Sequence, residues 1–165
     1  MLERTVVCDT TVLLYLGRID RLDLLPALFS EIFVPEQVVT ELDMGRLIRR
    51  DTVDPRELDW AKLVSVGPPA IEQLPPNRLG VGERAVVSYA ESHACDVVGL
   101  DDYQARALAE QMGLKVVGTL GVLLLAKRHG LISAVRPLVD AIKDQGFRLD
   151  ADLYQDVLRL ADEAA

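Results

Sequence analysis

Short apolar runs rich in valine and isoleucine alternate along the chain with segments whose apolar residues recur every three or four positions. Runs of the first kind are typical of buried strands, and segments of the second kind are typical of amphipathic helices. We predict strands at 5–8, 32–34, 64–66, 96–100 and 115–117. Strands that alternate with helices indicate an α/β fold, in which a central, mainly parallel sheet carries helices on both faces.

The predicted helices follow these strands and end where glycine or a polar turn interrupts their apolar face. A leucine-rich helical region at 13–28 is interrupted near Gly17, and the next helix begins at Pro35, which suits a first helical turn. Further helices are predicted at 58–63, 82–93, 103–112, 120–129, 133–144 and 152–161. Residues 67–80 contain four prolines and are predicted to form a loop.

The length of the chain limits its domain organisation. The 165 residues suffice for one domain and leave little room for a second. The sequence contains no internal repeat and no linker-like segment. We therefore predict a single domain over residues 1–165, with a helical extension at its carboxyl-terminal end from about residue 133.

Composition excludes an unfolded chain and narrows the range of partners. Half of the residues are hydrophobic and 27% are charged, which is incompatible with intrinsic disorder. The 26 acidic and 18 basic residues give a net charge of −8, so the overall charge does not attract nucleic acid. Binding of RNA would require cations held among the acids or a local basic patch. Arg46, Arg49 and Arg50 could form such a patch, although a solvated helix face is an equally good interpretation.

The sequence gives no sign of export or membrane insertion. Its longest apolar run, 122–126, is far shorter than the ~20 residues that a spanning helix requires. The amino-terminal residues lack the apolar stretch of a secretion signal. Cys8 and Cys95 lie in strand-like contexts, so we expect reduced thiols and a cytoplasmic protein. The cysteines and the two histidines also lack zinc-site spacing, so a bound metal would be a hard ion held by carboxylates.

Carboxylates occur at the ends of two predicted strands and near the start of two predicted helices. Asp9 follows the first strand, and Asp101 and Asp102 follow the strand at 96–100. Glu41 lies in the helix that begins at Pro35, and Glu83 lies in the first turn of the helix after the proline-rich loop. Ligands of parallel sheets gather at the carboxyl ends of the strands, so we expect these acids to converge. A divalent cation would relieve their repulsion, which favours hydrolysis of phosphate esters.

Each of these residues also has a purely structural interpretation. An aspartate at a strand-to-helix turn commonly caps the helix, Glu83 would complement a helix dipole, and Glu41 would suit a solvated face. Thr119 is interpreted as a helix N-cap, with a hydroxyl at the rim of the acidic pocket as the alternative. Residues 80–85 match the dinucleotide pattern G-x-G-x-x-A, but no strand precedes them, and we reject a dinucleotide site.

The segments 6–11, 34–41, 79–83 and 98–102 resemble, in order and spacing, the PIN domain family of Mg²⁺- or Mn²⁺-dependent nucleases. The segment 113–123 is especially similar to one prokaryotic branch, and the resemblance extends over essentially the whole chain. It implies a three-layer α/β/α fold with a central parallel sheet. By motif position it also implies four catalytic acids, which are Asp9, Glu41, Glu83 and Asp101.

The resemblance further implies a division of roles. Asp9, Glu83 and Asp101 would hold Mg²⁺ or Mn²⁺, while Glu41 would orient the attacking water or a second ion. Candidates for supporting roles are Thr10, Asp102 and Thr119. Many members of this branch are VapC-type toxins of toxin–antitoxin pairs, which cleave RNA and form homodimers. The resemblance thus implies an endoribonuclease with an RNA substrate, an antitoxin partner and a homodimeric state.

One departure from the family pattern leaves alternatives open. Many relatives carry another acid shortly after the position of Asp101, whereas this chain has Gln104 and Ala105. Asp102 could substitute for that acid, or the site could hold one metal instead of two. A catalytically silent PIN fold that acts as a binding module is therefore one alternative. A phosphoacceptor signalling domain is another, although the paired acids after its first strand and its late lysine are missing here.

Overall fold

The computed structural model describes residues 4–67 and 79–164, and in this part of the chain five strands form one sheet in which all strands are parallel. The strands are β1 (Thr5–Cys8), β2 (Glu31–Pro35), β3 (Ala61–Val64), β4 (Val97–Gly99) and β5 (Val116–Val117). The helices between and after them are α1 (Thr10–Arg18), α2 (Leu24–Leu28), α3 (Glu36–Ile48), α4 (Val81–Ser92), α5 (Tyr103–Gln111), α6 (Thr119–Arg128), α7 (Arg136–Asp144) and α8 (Ala151–Leu160). The predicted α/β/α architecture is confirmed.

The order of the strands creates a switch point at β1. The sheet runs β3-β2-β1-β4-β5, so the chain builds outward from β1 to one edge and then returns to build the other edge from β4. Val7 of β1 lies opposite Phe33 of β2 and Val98 of β4. The backbone N–H of Asp9 extends the ladder by donating to the carbonyl of Gly99 at 2.9 Å. The residues that follow β1 and β4 therefore emerge side by side at the same edge of the sheet.

The hydrophobic core lies on both faces of the central strands. Val6, Val7 and Cys8 of β1 have no exposed surface, and the helix α6 packs against both α1 and α2. The helix α4 contacts β1, β2 and β4 and buries most of its length. Strands buried on both faces are read as continuous apolar runs, which explains why β1 and β4 are recognisable in the sequence.

The segment before β3 differs from the prediction. Residues 58–63 were expected to be helical and 64–66 to form a strand, whereas the structure has a short 3₁₀ turn at Pro55–Glu57 and the strand β3 at Ala61–Val64. Ala61, Lys62 and Leu63 have little strand propensity, and Leu63 is 46% exposed at the edge of the sheet. Residues 61–64 form a strand because they pair in parallel with β2. This pairing is a long-range contact, so it produces no recognisable pattern of hydrophobic residues within the segment itself. The predicted loop at 67–80 lies largely outside the described residues.

The carboxyl-terminal helices pack back onto the earlier ones. The helix α7 contacts α1 and α6, and α8 contacts α6. Glu163 joins them, because its carboxylate accepts hydrogen bonds from the backbone N–H groups of Val135 (2.7 Å) and Arg136 (3.0 Å) and from Lys127 Nζ (3.0 Å). Among the described residues, none of the helices combines the length and apolar character needed to span a bilayer.

Candidate active site

Asp9 is the most deeply buried carboxylate at the carboxyl-terminal edge of the sheet. It occupies the turn from β1 into α1, only 3% of its surface is exposed, and its side chain makes no capping hydrogen bond. Within the described residues its Oδ1 has no hydrogen-bond partner. Burial raises the pKa of Asp9 to about 8, the Thr10 N–H opposes the shift, and the carboxylates of Glu83, Glu41 and Asp101 increase it. The protein therefore stabilises the charged form of Asp9 poorly by itself.

Glu41 approaches Asp9 from α3 and is held by two donors from other elements. Its Oε1 accepts a hydrogen bond from the backbone N–H of Gly82 at 2.7 Å, and its Oε2 accepts one from Thr10 Oγ1 at 3.1 Å. The Thr10 hydroxyl thus orients the carboxylate of Glu41. The carboxylate joins the start of α1 to the start of α4.

Glu83 lies in the first turn of α4, as the sequence predicts. Its Oε1 accepts a hydrogen bond from the backbone N–H of Gly80 at 2.9 Å, which is one half of a capping box, because glycine has no side chain to return the bond. Burial raises the pKa of Glu83, the Gly80 N–H partly offsets the shift, and the charges of Asp102 and Glu41 add to it. Glu83 therefore combines a structural role with membership of the acidic cluster.

Gly82 brings the backbone of α4 into contact with two of the acids. A Cβ atom at this position would overlap Glu41 Oε1 and would lie 3.3 Å from Asp9 Oδ1. Asp9 and Glu41 therefore direct one oxygen each toward the same point at the start of α4. The glycine permits this close approach, which gives the glycine-rich segment a purpose other than dinucleotide binding.

Asp101 follows β4 and is anchored by the first residue of α6. Its Oδ1 accepts the backbone N–H of Thr119 at 2.7 Å, and its Oδ2 accepts the Thr119 hydroxyl at 2.6 Å. Burial raises the pKa of Asp101, and the Thr119 hydrogen bonds and the Arg106 charge partly offset the shift. The interpretation of Thr119 as an N-cap is wrong: Gly118 occupies that position, and the buried Thr119 hydroxyl turns to the carboxylate.

Arg106 is a site residue that sequence reasoning missed. Its Nη1 donates to the carbonyl of Leu100 at 3.3 Å, and a Cβ atom on Gly118 would lie 2.6 Å from this nitrogen and 2.8 Å from Asp101 Oδ1. The available signal was helical spacing, because Arg106 lies one turn after Asp102 on α5 and so faces back toward the strand ends. The guanidinium places a positive charge next to Asp101.

Asp102 caps α5. Its Oδ2 accepts the backbone N–H of Ala105 at 3.0 Å, and the residue is otherwise exposed. This is the structural interpretation that the sequence allowed for an aspartate after a strand. The negative charge of Asp102 contributes to the raised pKa of Glu83.

The three candidate arginines for nucleic-acid binding have different surroundings. Arg46 pairs with Asp43 and donates to the carbonyl of Val53 at 2.8 Å. Arg49 pairs with Asp51 at 2.7 Å. Arg50 is exposed at the end of α3 and has no ion pair within the described residues.

The donor set suits a hard divalent cation, although the side chains do not form a closed metal site. All candidate ligands are carboxylate oxygens, which Mg²⁺ and Mn²⁺ prefer, and the unpartnered Asp9 Oδ1 has an open coordination position. Within residues 4–67 and 79–164, no three histidine, cysteine, aspartate or glutamate side chains are arranged closely enough to hold an ion as they stand. Asp9 fits the role of central ligand, and the other acids would have to turn toward it.

The α/β/α fold, with acids at the switch point of its parallel sheet, places this protein in the class of α/β proteins that bind ligands at the carboxyl ends of their strands. A family model described as a PIN domain matches residues 5–163, nearly the whole chain. The chain belongs to the PIN domain family, and the predicted resemblance is confirmed at that level. PIN domains are typically nucleases that use divalent metal ions. No curated protein matches the sequence.

Proposed function

We propose that residues 1–165 form one PIN domain that acts as an Mg²⁺- or Mn²⁺-dependent endoribonuclease. We further propose that it is the cytoplasmic, homodimeric toxin half of a VapC-type toxin–antitoxin pair. The family supports nuclease chemistry, and the resemblance of the segment 113–123 to the prokaryotic branch supports the toxin role.

The observation that carries the proposal is the buried, unpartnered carboxylate of Asp9. A carboxylate with 3% exposure and no donor on Oδ1 is costly, because burial disfavours its charge and three further acids increase the penalty. Such an arrangement is destabilising unless a cation or a proton compensates it. A bound divalent cation would compensate it, and it would supply a polarised water and charge neutralisation for phosphodiester hydrolysis.

The four acids and Thr119 would have separate roles in metal binding and hydrolysis. Asp9 and Asp101 would bind the ion, and Glu83 would complete the site, directly or through water. Glu41, already oriented by Thr10 and Gly82, would position the attacking water. Thr119 holds Asp101 by two hydrogen bonds and so fixes the orientation of its carboxylate.

The test is cleavage of a pool of structured and single-stranded RNA by the wild type and by Asp101→Asn, in Mn²⁺, Mg²⁺ and EDTA. We expect cleavage in both metals, none in EDTA, and a loss of at least about 100-fold in the variant. Asp152→Asn is the matched control, because Asp152 is an exposed aspartate of α8 far along the chain from the acids, and it should cleave like the wild type. Equal activity of Asp101→Asn and wild type would refute the assignment.

A silent binding module is the second candidate, and a specific observation favours it. Glu41, Glu83 and Asp101 already accept hydrogen bonds from protein groups, so they are partly satisfied without an ion. Calorimetric titration with Mn²⁺ separates the two candidates. Binding that is lost in Asp9→Asn supports the nuclease, whereas the absence of binding to well-folded wild type supports the silent module.

The toxin role and the homodimer have separate tests. Induced expression of the wild type should arrest growth of the host cells, and Asp101→Asn should not. Sedimentation equilibrium of the purified chain should give twice the mass of 18.2 kDa. Normal growth with an active nuclease would contradict the toxin role alone.

A further inference from the structure

A groove runs along the outer edge of β5, and none of the four candidate catalytic acids lines it. In the described part of the chain β5 pairs only with β4, so its other edge is open. The two strands are joined by hydrogen bonds from Val98 N–H to Lys115 (2.8 Å) and from Leu100 N–H to Val117 (3.0 Å). Alternate residues of a strand direct their backbone groups to opposite neighbours, so Val116 directs its N–H and C=O toward the open side.

The groove beside this edge is a cavity with apolar walls. Its volume is about 510 Å³, and aliphatic side chains from β5, from α6 and from the turn before β5 line it. They include Leu114, Val116, Leu124 and Leu125. A volume of this size accommodates one or two aliphatic side chains of a partner. An open strand edge next to an apolar cavity is the arrangement by which proteins bind a peptide as an additional strand.

The rim of the groove carries mainly positive charge, whereas the chain as a whole is acidic. Arg4, Lys115 and Arg128 line the cavity, and Glu110 is the one acid that lines it among the described residues. None of the three cations forms an ion pair within the described part of the chain. Hydrogen bonds from Thr5 lower the pKa of Asp96 most, and the charges of Arg4 and Lys115 lower it further. The carboxylate of Asp96 therefore offsets part of the positive charge of the rim.

We propose that this groove binds an extended acidic peptide segment of a partner protein. The peptide main chain would pair with Val116, an aliphatic side chain would enter the cavity, and Asp or Glu residues would contact Arg4, Lys115 and Arg128. Charge complementarity selects an acidic partner, because three cations and one acid line the groove, whereas the chain as a whole has a net charge of −8. The proposal is independent of the nuclease function.

The test uses an array of synthetic peptides of about nine residues with alternating aliphatic positions and acidic flanks. Matched peptides carry Asn and Gln, or Lys and Arg, in place of the acids. Fluorescence anisotropy in EDTA measures binding to the whole protein, and amide chemical shifts locate it. We expect only acidic peptides to bind, with shifts at Val116 and Val117 and affinity that falls as salt is added.

Two variants and one control decide the role of the rim. Arg128→Glu and Lys115→Glu should each weaken binding by about 10-fold or more. Arg148→Glu makes the same change of charge at another exposed arginine and should leave the affinity unchanged. An equal effect of Arg148→Glu, or shifts confined to the acidic cluster, would overturn the proposal.

Other ligands are outcomes of the same experiment. Inorganic phosphate or a short single-stranded RNA that produces the same shifts at Val116, with equal or greater affinity, would show an anion or nucleic-acid site and would overturn the peptide proposal. Failure of every peptide to bind would overturn it as well. None of these results depends on metal or on RNA cleavage, so the nuclease proposal is tested separately.

Discussion

Asp9 shows at the scale of a single residue how the site and the stability of the fold oppose each other. Its pKa is raised to about 8 from an ordinary value of 3.8, mainly by burial. Between these values the folded state retains a proton that the unfolded state releases. The free energy of unfolding must therefore decrease as the pH rises through this window. Below about pH 4 both states are protonated and the effect disappears.

Asp9→Asn should remove this pH dependence. Without metal we expect the variant to be more stable than the wild type near pH 9, by on the order of a few kcal/mol, and the difference should shrink toward about pH 4. Urea unfolding in EDTA across this range measures it. Parallel pH profiles of the two proteins would contradict the assignment of a buried, uncompensated charge to Asp9.

Thr119 allows a second test at this scale. Thr119→Val keeps the shape of the side chain but removes the hydroxyl that donates to Asp101 Oδ2 at 2.6 Å. We expect a loss of about 1–3 kcal/mol in the free energy of unfolding and weaker Mn²⁺ binding, because Asp101 loses one of its two anchors from Thr119. Urea unfolding and calorimetry measure the two effects. Thr119→Ser should restore both, and a failure of serine to do so would point to packing instead of the hydrogen bond.

The approach of α3 to α4 determines the site at the scale of elements. The start of α4 lies against Glu41 of α3, and Gly82 makes this contact possible. The helices α3 and α4 contact each other more extensively than either of them contacts α5. The position of Glu41 therefore depends on how α3 and α4 pack together.

Gly82→Ala should separate these helices. The new Cβ would overlap Glu41 Oε1, so we expect a loss of about 1–3 kcal/mol in unfolding free energy and a marked fall in RNA cleavage, although every acid is retained. Gly45→Ala in α3 is the control, because its Cβ would meet Thr52 Cγ2 at an ordinary 3.6 Å. The control should be unchanged or stabilised by about 0.5–1 kcal/mol. Similar behaviour of the two variants would exclude a special role for the α3–α4 contact.

Glu163 ties the end of the chain to α6 and α7. Burial would raise its pKa, but the N–H groups of Val135 and Arg136 and the ammonium of Lys127 outweigh burial, so the pKa of Glu163 is lowered. A lowered pKa means that the carboxylate contributes stability at neutral pH and that this contribution is lost as the pH falls through its folded value.

Glu163→Gln should therefore destabilise the protein by about 1–2 kcal/mol at neutral pH and by progressively less below about pH 4.5. Thermal unfolding at several pH values measures the difference. Glu91→Gln, at an exposed glutamate of α4, should not change stability at any of these pH values. A pH-independent effect of Glu163→Gln would show that its charge is not what stabilises this junction.

At the scale of the whole molecule, the acidic cluster predicts a stability that depends on metal. A cation that binds the folded chain and not the unfolded chain raises the unfolding temperature, and the increase grows with the logarithm of the ratio of its concentration to its dissociation constant. Mn²⁺ should therefore raise the unfolding temperature of the wild type, and EDTA should reverse the increase. Asp9→Asn should show little response to Mn²⁺. An identical response of both proteins would indicate that the ion binds elsewhere on this acidic chain.

The sequence predicted the fold at this scale better than the details of the site. Strands β1 and β4 are buried on both faces and are read as apolar runs, whereas β3 is a half-exposed edge strand that only its pairing with β2 defines. The acids could be placed together because the strands they follow are parallel. The contact of Gly82 with Glu41 arises from tertiary packing, for which the sequence carries no periodic signal. Arg106 could have been found only from its helical spacing one turn after Asp102, and its contact with the Leu100 carbonyl again depends on packing.

The hydrogen bond from the Asp9 N–H to the Gly99 carbonyl has a consequence for how the site can change in evolution. This bond extends the ladder between β1 and β4 to Asp9. The pairing of these two strands therefore sets the spacing between Asp9 and the start of the turn that carries Asp101. Glu41 and Glu83, by contrast, are carried on separate helices. Substitutions in α3 and in the first turn of α4 can therefore move Glu41 and Glu83 while the aspartate pair stays in place.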